Sequence, residues 1–191
     1  MLLTKLTENR YNNFCLFGVI FMILNFRQVN ASEGPVEFHN ALDVSHVVKG
    51  RKDISGVDPL QVDLKAQPVG DDIVTVYGHL TTKLDMSCSR CLKPLNHKVD
   101  VDFNESFKQR EEPDEELLDE DEDLQVVTEE RVDLIPYIEE SFLLNLPFAV
   151  VCSESCKGLC PNCGTDLNME QCGCDTEVID PRLAGLKDFF K

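Results

Sequence analysis

LQVDLKAQPVGDDIVTVYGHLTTKLDMSCSRCLKPLNHKVDVDFNESF, residues 60–107, is the stretch that decides the fold. In LQVDLKAQ, apolar Leu60, Val62, Leu64 and Ala66 recur at every second position, the period of a strand with one buried face. Gly70-Asp71 punctuates a turn. DIVTVYGHLTTKLDM then alternates again, placing Val74, Val76, Leu80, Leu84 and Met86 on one face. Gly78 within it marks a bulge or a close backbone approach. After CSRCLKP, a third run sets Val99, Val101, Phe103 and Phe107 together. Three such strands on short connections predict an antiparallel meander.

Working outward, Ile23, Leu24 and Phe26 read as the opening of a strand, and ALDVSHVVKGRKD as a short helix ending near Gly50. RVDLIPYIEESFLLNLP predicts a helix capped by Asp133, with Pro136 in its first turn, Ile135, Ile138 and Phe142 on one side, and Pro147 closing it. DPRLAGLKDFF predicts another, with Asp180 as cap, Pro181 first, and Leu183, Leu186 and Phe190 facing inward. The expected class is α+β: an antiparallel sheet with flanking helices and a C-terminal cysteine-rich zinc-knuckle segment. Its expected parts are a β-rich region over 22–110 containing a CxRC loop, an acidic disordered loop over 111–131, and a helix over 132–150. A zinc knuckle over 151–179 and a terminal helix over 180–191 follow.

At 191 residues the chain is one domain, or one domain with an appendage. Its formal charge of −17 argues against a broad basic surface for a phosphate backbone and favours basic partners. Much of that excess sits in EEPDEELLDEDED, residues 111–123, which carries ten acids and no base. Self-repulsion and sparse apolar groups make such a run a solvated loop. A specific dock for a basic protein is the sharper reading of the same residues.

FCLFGVIFMILNF, residues 14–26, is too short for an ordinary membrane span. With Lys5 and Arg10 before it and Val29-Asn30-Ala31 after it, it resembles a secretory signal. Glu8, Asn25 and Arg27 spoil that pattern, and Met22 lies inside the apolar run. Residues 1–21 therefore read as an upstream extension ahead of a true start at Met22, or as a signal-like segment. Starting at Met22 leaves eight of the nine cysteines, a count that suits disulfides and metal sites equally.

CKGLCPNCGTDLNMEQCGC, residues 156–174, holds five of them. In Cys160-Pro161-Asn162-Cys163-Gly164, two residues between thiolates let both sulfurs converge on one cation, and Gly164 permits the dihedral such turns need. Cys172 and Cys174 supply the other two ligands of a tetrahedral, structural zinc. Cys152 and Cys156 compete for the same role beside Cys160 and Cys163. Alternatively they complete a second site with Cys88 and Cys91, which otherwise read as two partly buried, apolar-like cysteines. A disulfide knot and a redox pair are the rival chemistries. CxC pairs are awkward to bridge internally, and no thioredoxin-like pattern surrounds these.

Arg90, Lys93, His97 and Lys98 form the most concentrated basic cluster and are the candidate RNA contacts. Catalysis finds little footing. No Gly-rich phosphate loop, nucleophile elbow or HExxH occurs, and a fully thiolate-bound zinc leaves no position for activated water. The expectation is that the protein is not an enzyme.

Taken in order, CSRCLKP, FNESF, VDLIPYIEESFLLNLP, CKGLCPNCGTDLN, CGC and DPRLAGL resemble the bacterial YceD family of large ribosomal RNA subunit accumulation proteins. The resemblance runs from Met22 to the end. It implies a cytoplasmic protein needed for accumulation of 23S ribosomal RNA, with relatives in plant organelles. The family's CxRC pair maps to Cys88 and Cys91, and its DPR motif to Asp180, Pro181 and Arg182. Implied partners are a large-subunit precursor, a basic ribosomal protein or 23S ribosomal RNA, with neither a membrane nor a small-molecule substrate.

Overall fold

The alternation at 60–107 becomes three long strands in a computed structural model that describes residues 22–70, 72–110 and 124–174. Chain order is β1 (Ile23–Asn25), α1 (Phe26–Ala31), β2 (Val36–Leu42), β3 (Ile54–Val57), β4 (Leu60–Pro68), β5 (Ile73–Ser87) and β6 (Pro94–Gln109). It continues through β7 (Leu124–Val127), β8 (Arg131–Asp133) and α2 (Ile135–Leu144). β4, β5 and β6 pair antiparallel in sequence, with Leu64 opposite Gly78 and Gly78 opposite Phe103. β2 adds antiparallel to the free edge of β4, β3 pairs with β5, and β1 and β8 form a separate two-stranded ribbon.

Every residue assigned by alternation to the inner face of β4, β5 and β6 is buried. Phe26 and Val29 of α1 and Ile138 and Phe142 of α2 are buried in the same core, α1 packing on β4 and α2 on β6. The rings of Tyr137 and Phe107 meet at right angles with centroids 4.9 Å apart. Each fully buried Leu or Phe contributes about 1.5–3 kcal/mol relative to exposure, so this single layer of apolar contacts carries the sheet. At Gly78, φ is +153°, and a Cβ there would stand 2.1 Å from the Asp63 carbonyl oxygen. Glycine is required because two backbones touch.

Several expectations are corrected. The sheet is mixed, because β7 runs parallel to β6. Residues 124–127, assigned to a disordered loop, form that strand, since the unbroken acidic run stops at Asp123 and LQVV offers apolar, β-branched side chains. The segment 41–53 is not a helix. Ala41 and Leu42 finish β2, and residues 45–50 make successive turns with Val47, Lys49 and Arg51 amides donating three residues back. Buried Val44 and Val48 have helical spacing, but three valines, Ser45 and Asp43 favour local turns over a regular helix. Phe26 begins α1 rather than extending a strand, with Asn25 accepting from the Gln28 amide. The helix expected over 132–150 is ten residues, Ile135–Leu144, because Val132 and Asp133 pair with β1. Leu134 rather than Asp133 stands at the N-cap and makes no side-chain cap bond, although Asp133 Oδ1, one residue earlier, accepts from the Ile135 amide at 3.0 Å. Residues 1–21, the whole acidic run at 111–123 and the expected helix at 180–191 lie outside the described residues.

The outer face of the sheet is polar. His39 on β2 lies 2.7 Å from Asp63 on β4, and His79 on β5 lies 2.9 Å from Asp102 on β6. The hydrogen bond to Asp63 raises the His39 pKa above its ordinary 6.5, with Glu37 adding to it. A raised folded pKa stabilises fully below 6.5 and stops doing so as pH rises through the folded midpoint. The His39 ring is expected to titrate above 6.5 by NMR, and Asp63→Asn to move it back toward 6.5.

Candidate metal centres

The β5–β6 connection is a tight knuckle. The Leu92 amide donates to the Cys88 carbonyl and the Cys88 amide to the Lys93 carbonyl, both at 2.9 Å, with Leu92 in a left-handed conformation at φ 58°. That turn aims Cys88 and Cys91 to one side. The chain returning from α2 is laid across it, with the Ser89 amide donating to the Val150 carbonyl at 2.8 Å. Cys152 and Cys156 thereby arrive opposite Cys91 and Cys88.

The four sulfurs lie within 4.8 Å of one another. Cys88 Sγ is 3.9 Å from Cys156 Sγ, and Cys91 Sγ is 3.6 Å from Cys152 Sγ. A disulfide needs sulfurs about 2.05 Å apart, so these are not bonded. A zinc ion with Zn–S of about 2.3 Å sets its sulfurs about 3.8 Å apart, which is the spacing here. Cys88, Cys91 and Cys156 are buried.

The second group is Cys160, Cys163, Cys172 and Cys174, also within 4.8 Å of one another. The Gly164 amide returns to the Cys160 carbonyl at 2.9 Å with Gly164 at φ 75°, and the Cys160 amide donates to the Thr165 carbonyl at 2.8 Å. Together the groups take every cysteine among the described residues, none of which is in a disulfide.

Electrostatics tests the fit to a cation. Backbone N–H groups of Cys91, Arg90 and Cys152 hold the Cys88 thiol down at about 6. The Thr165 hydroxyl, 3.2 Å away, and the Thr165 amide hold Cys163 at about 6. Cys152, crowded by the Cys91 and Cys156 thiols, is pushed up to about 12, as is Cys174 by Cys163 and Cys160. Two thiolates about 3.8 Å apart repel by about 4 kcal/mol at an effective dielectric of about 20. Four of them need a multivalent cation, and all-sulfur tetrahedral sets suit zinc or iron–sulfur chemistry. The donor set fits a metal.

The other sequence candidates are placed differently. Arg90 donates from Nη1 to the Cys156 carbonyl at 2.9 Å and the Glu154 carbonyl at 3.1 Å, so it braces the first knuckle. Lys93 Nζ is 2.9 Å from Asp166 Oδ2, and the Lys93 ammonium holds the Asp166 carboxyl down at about 2. Lys98 pairs with Asp100 at 2.8 Å, and His97 sits on β6 opposite Leu84. Two of the four basic residues thus have partners inside the cysteine module. Asp166, Asn168 and Gly158 were given no role from sequence. The Asx residues of TDLN inside a ligand loop were the available signal, since such side chains bind nearby backbone amides.

These cysteines lie within a longer match. The family model described as "Large ribosomal RNA subunit accumulation protein YceD" covers residues 76–190, more than half of the chain and all of both tetrads. The chain belongs to the YceD family. An uncharacterized protein of Mycobacterium tuberculosis is 38% identical over 131 residues, covering 69% of this chain. The chain spans 62% of the length of that relative. The uncharacterized protein YlbN of Bacillus subtilis is 28% identical over 160 residues, 81% of this chain and 88% of YlbN. A YCED homolog of Arabidopsis thaliana, named as a chloroplastic large ribosomal RNA subunit accumulation protein, is 33% identical over 49 residues, 26% of this chain and 15% of its own. No solved structure matches the chain. Among the described residues of this YceD-family chain, no helix is long and apolar enough to cross a membrane.

Proposed function

We propose that this chain is a non-enzymatic factor for accumulation of 23S ribosomal RNA and biogenesis of the large ribosomal subunit. It acts in the cytoplasm by binding a basic ribosomal protein or a pre-ribosomal particle. Structural zinc in the two tetrads, Cys88/Cys91/Cys152/Cys156 and Cys160/Cys163/Cys172/Cys174, holds the binding module in shape. The observation that carries this reading is the family match running across both tetrads. Closed four-sulfur sites offer no position for a reacting water, which favours a scaffold over a hydrolase.

A net charge of −17 favours a basic protein over naked RNA as the direct partner. The internal engagement of Arg90 and Lys93 supports the same choice. The acidic run at 111–123 supplies long-range attraction and on-rate, and the folded module supplies specificity. The tagged chain is expected to capture basic large-subunit proteins at about 0.1 M salt and release them near about 1 M, where the screening length falls from about 10 Å to about 3 Å. Deleting residues 111–123 should weaken that capture. Recovery of naked RNA alone, unaffected by the deletion, would transfer the reading to direct binding of a ribosomal RNA precursor.

A further inference from the structure

The two tetrads are consecutive in the chain, with only Lys157, Gly158 and Leu159 between Cys156 and Cys160. The loop between Cys163 and Cys172 nevertheless folds back onto the first tetrad. Asn168 occupies the centre of that return. Its Oδ1 accepts from the Lys157 amide at 2.7 Å, and its Nδ2 donates to Asp166 Oδ1 at 2.7 Å and to Cys156 Sγ at 3.5 Å. Both amide protons and the amide oxygen are used, and the reversed orientation would set its oxygen against a carboxylate and a sulfur.

Asp166 links the same loop to the other half of the first tetrad through Lys93, two residues after Cys91. The backbone is joined as well. The Leu159 amide donates to the Arg90 carbonyl and the Leu167 amide to the Gly158 carbonyl, both at 3.0 Å. Gly158, at φ +78°, lies so close that a Cβ would stand 2.9 Å from the Arg90 oxygen. A loop pinned at Cys163 and Cys172 is therefore also a wall of the first site.

The geometry points to the tetrads as one coupled metal-binding unit, in which closing the second orders the loop that places the Asn168 amide on Cys156 Sγ and so tightens the first. Asn168 is a positioning residue. Its N–H stabilises the thiolate form that a divalent ion requires, and groups of this kind change metal affinity by about 10–100-fold. Linkage makes the effect mutual, so an occupied first site tightens the second by the same factor. The inference rests on reading both tetrads as metal sites.

The test is titration of the reduced full chain with Co2+, followed through its thiolate charge-transfer bands and by competition with a chelator. The unaltered chain should take two ions with a cooperative isotherm. Cys163→Ser with Cys174→Ser isolates the first site, whose affinity should fall about tenfold or more. Asn168→Leu should produce the same fall with the second tetrad's cysteines intact, and Cys88→Ser with Cys152→Ser should weaken the second site equally. Asn168→Asp keeps an acceptor for Lys157 and removes both donors, so it should follow Asn168→Leu. Circular dichroism of the sheet confirms that each variant folds. Two ions bound with constants indifferent to all these changes would overturn the coupling and leave the metal reading standing. No ion bound by the reduced unaltered chain would overturn both.

Discussion

Stripping metal from the reduced chain with a chelator is expected to unravel the cysteine module while leaving the sheet folded. The two parts have different cores. Among the described residues, the sheet has a continuous apolar interior running from Met22 to Phe142, whereas the cluster around the first tetrad is Cys88, Cys91 and Cys156 with only Leu95 and Leu159 packed against them. So small an apolar cluster cannot offset the conformational entropy of ordering residues 150–174. Apparent binding free energies of structural zinc are about 10–16 kcal/mol per site near pH 7, larger than the stability of most small domains. Thiol reagent should therefore find the cysteines unreactive before chelation and reactive after it. Amide exchange should rise across 150–174 and at the β5–β6 turn, with little change in the centres of β4 and β5. Collapse of strand circular dichroism on chelation would show instead that the sheet depends on the metal.

Gly78→Ala is the expected converse, a lesion of the sheet. The added methyl carbon meets the Asp63 carbonyl oxygen at 2.1 Å and Leu64 Cα at 2.9 Å, both backbone atoms in the adjoining strand. Neither can swing aside as a side chain would, so β4 and β5 must separate where Leu64 pairs with Gly78. A positive φ adds backbone strain. The loss should be about 3–5 kcal/mol, among the largest that single substitutions give. With a urea m-value of about 1–3 kcal/mol/M, the midpoint falls by about 1–5 M. Gly34→Ala, where nothing lies within 4 Å of the new carbon, provides the control. Equal midpoints for the two variants would show that β4 and β5 have slack at this point.

How much of this was legible depended on the range over which each signal acts. The inner faces of β4, β5 and β6 followed from alternation because period two and one-sided burial are the same fact. Gly78 was legible as an anomaly, since a glycine within a strand pattern marks a place where a side chain cannot fit. The knuckle turns of both tetrads were local and could be read. The joining of Cys88 and Cys91 to Cys152 and Cys156 stood among open alternatives, because it depends on α2 carrying the chain back across the β5–β6 turn. Parallel pairing of β7 escaped for the same reason, with its strand arriving after a long acidic connection. Asn168 escaped because a single amide in a turn-rich segment looks like any other turn residue.

The first tetrad also sets a schedule. Cys91 and its neighbour Cys152 are separated by 61 residues, whereas the two ends of the second tetrad lie within one short segment. At about 5–20 residues per second, a ribosome needs about 3–12 s to make the intervening chain. β6 is finished at Gln109, so for the rest of that interval β4, β5 and β6 are all made, yet Cys88 and Cys91 stand at the tip of the β5–β6 hairpin as a bare dithiol. The nascent protein passes through a stage in which its three long strands are made and its reactive sulfurs are open, and only the arrival of Cys152 and Cys156 closes it.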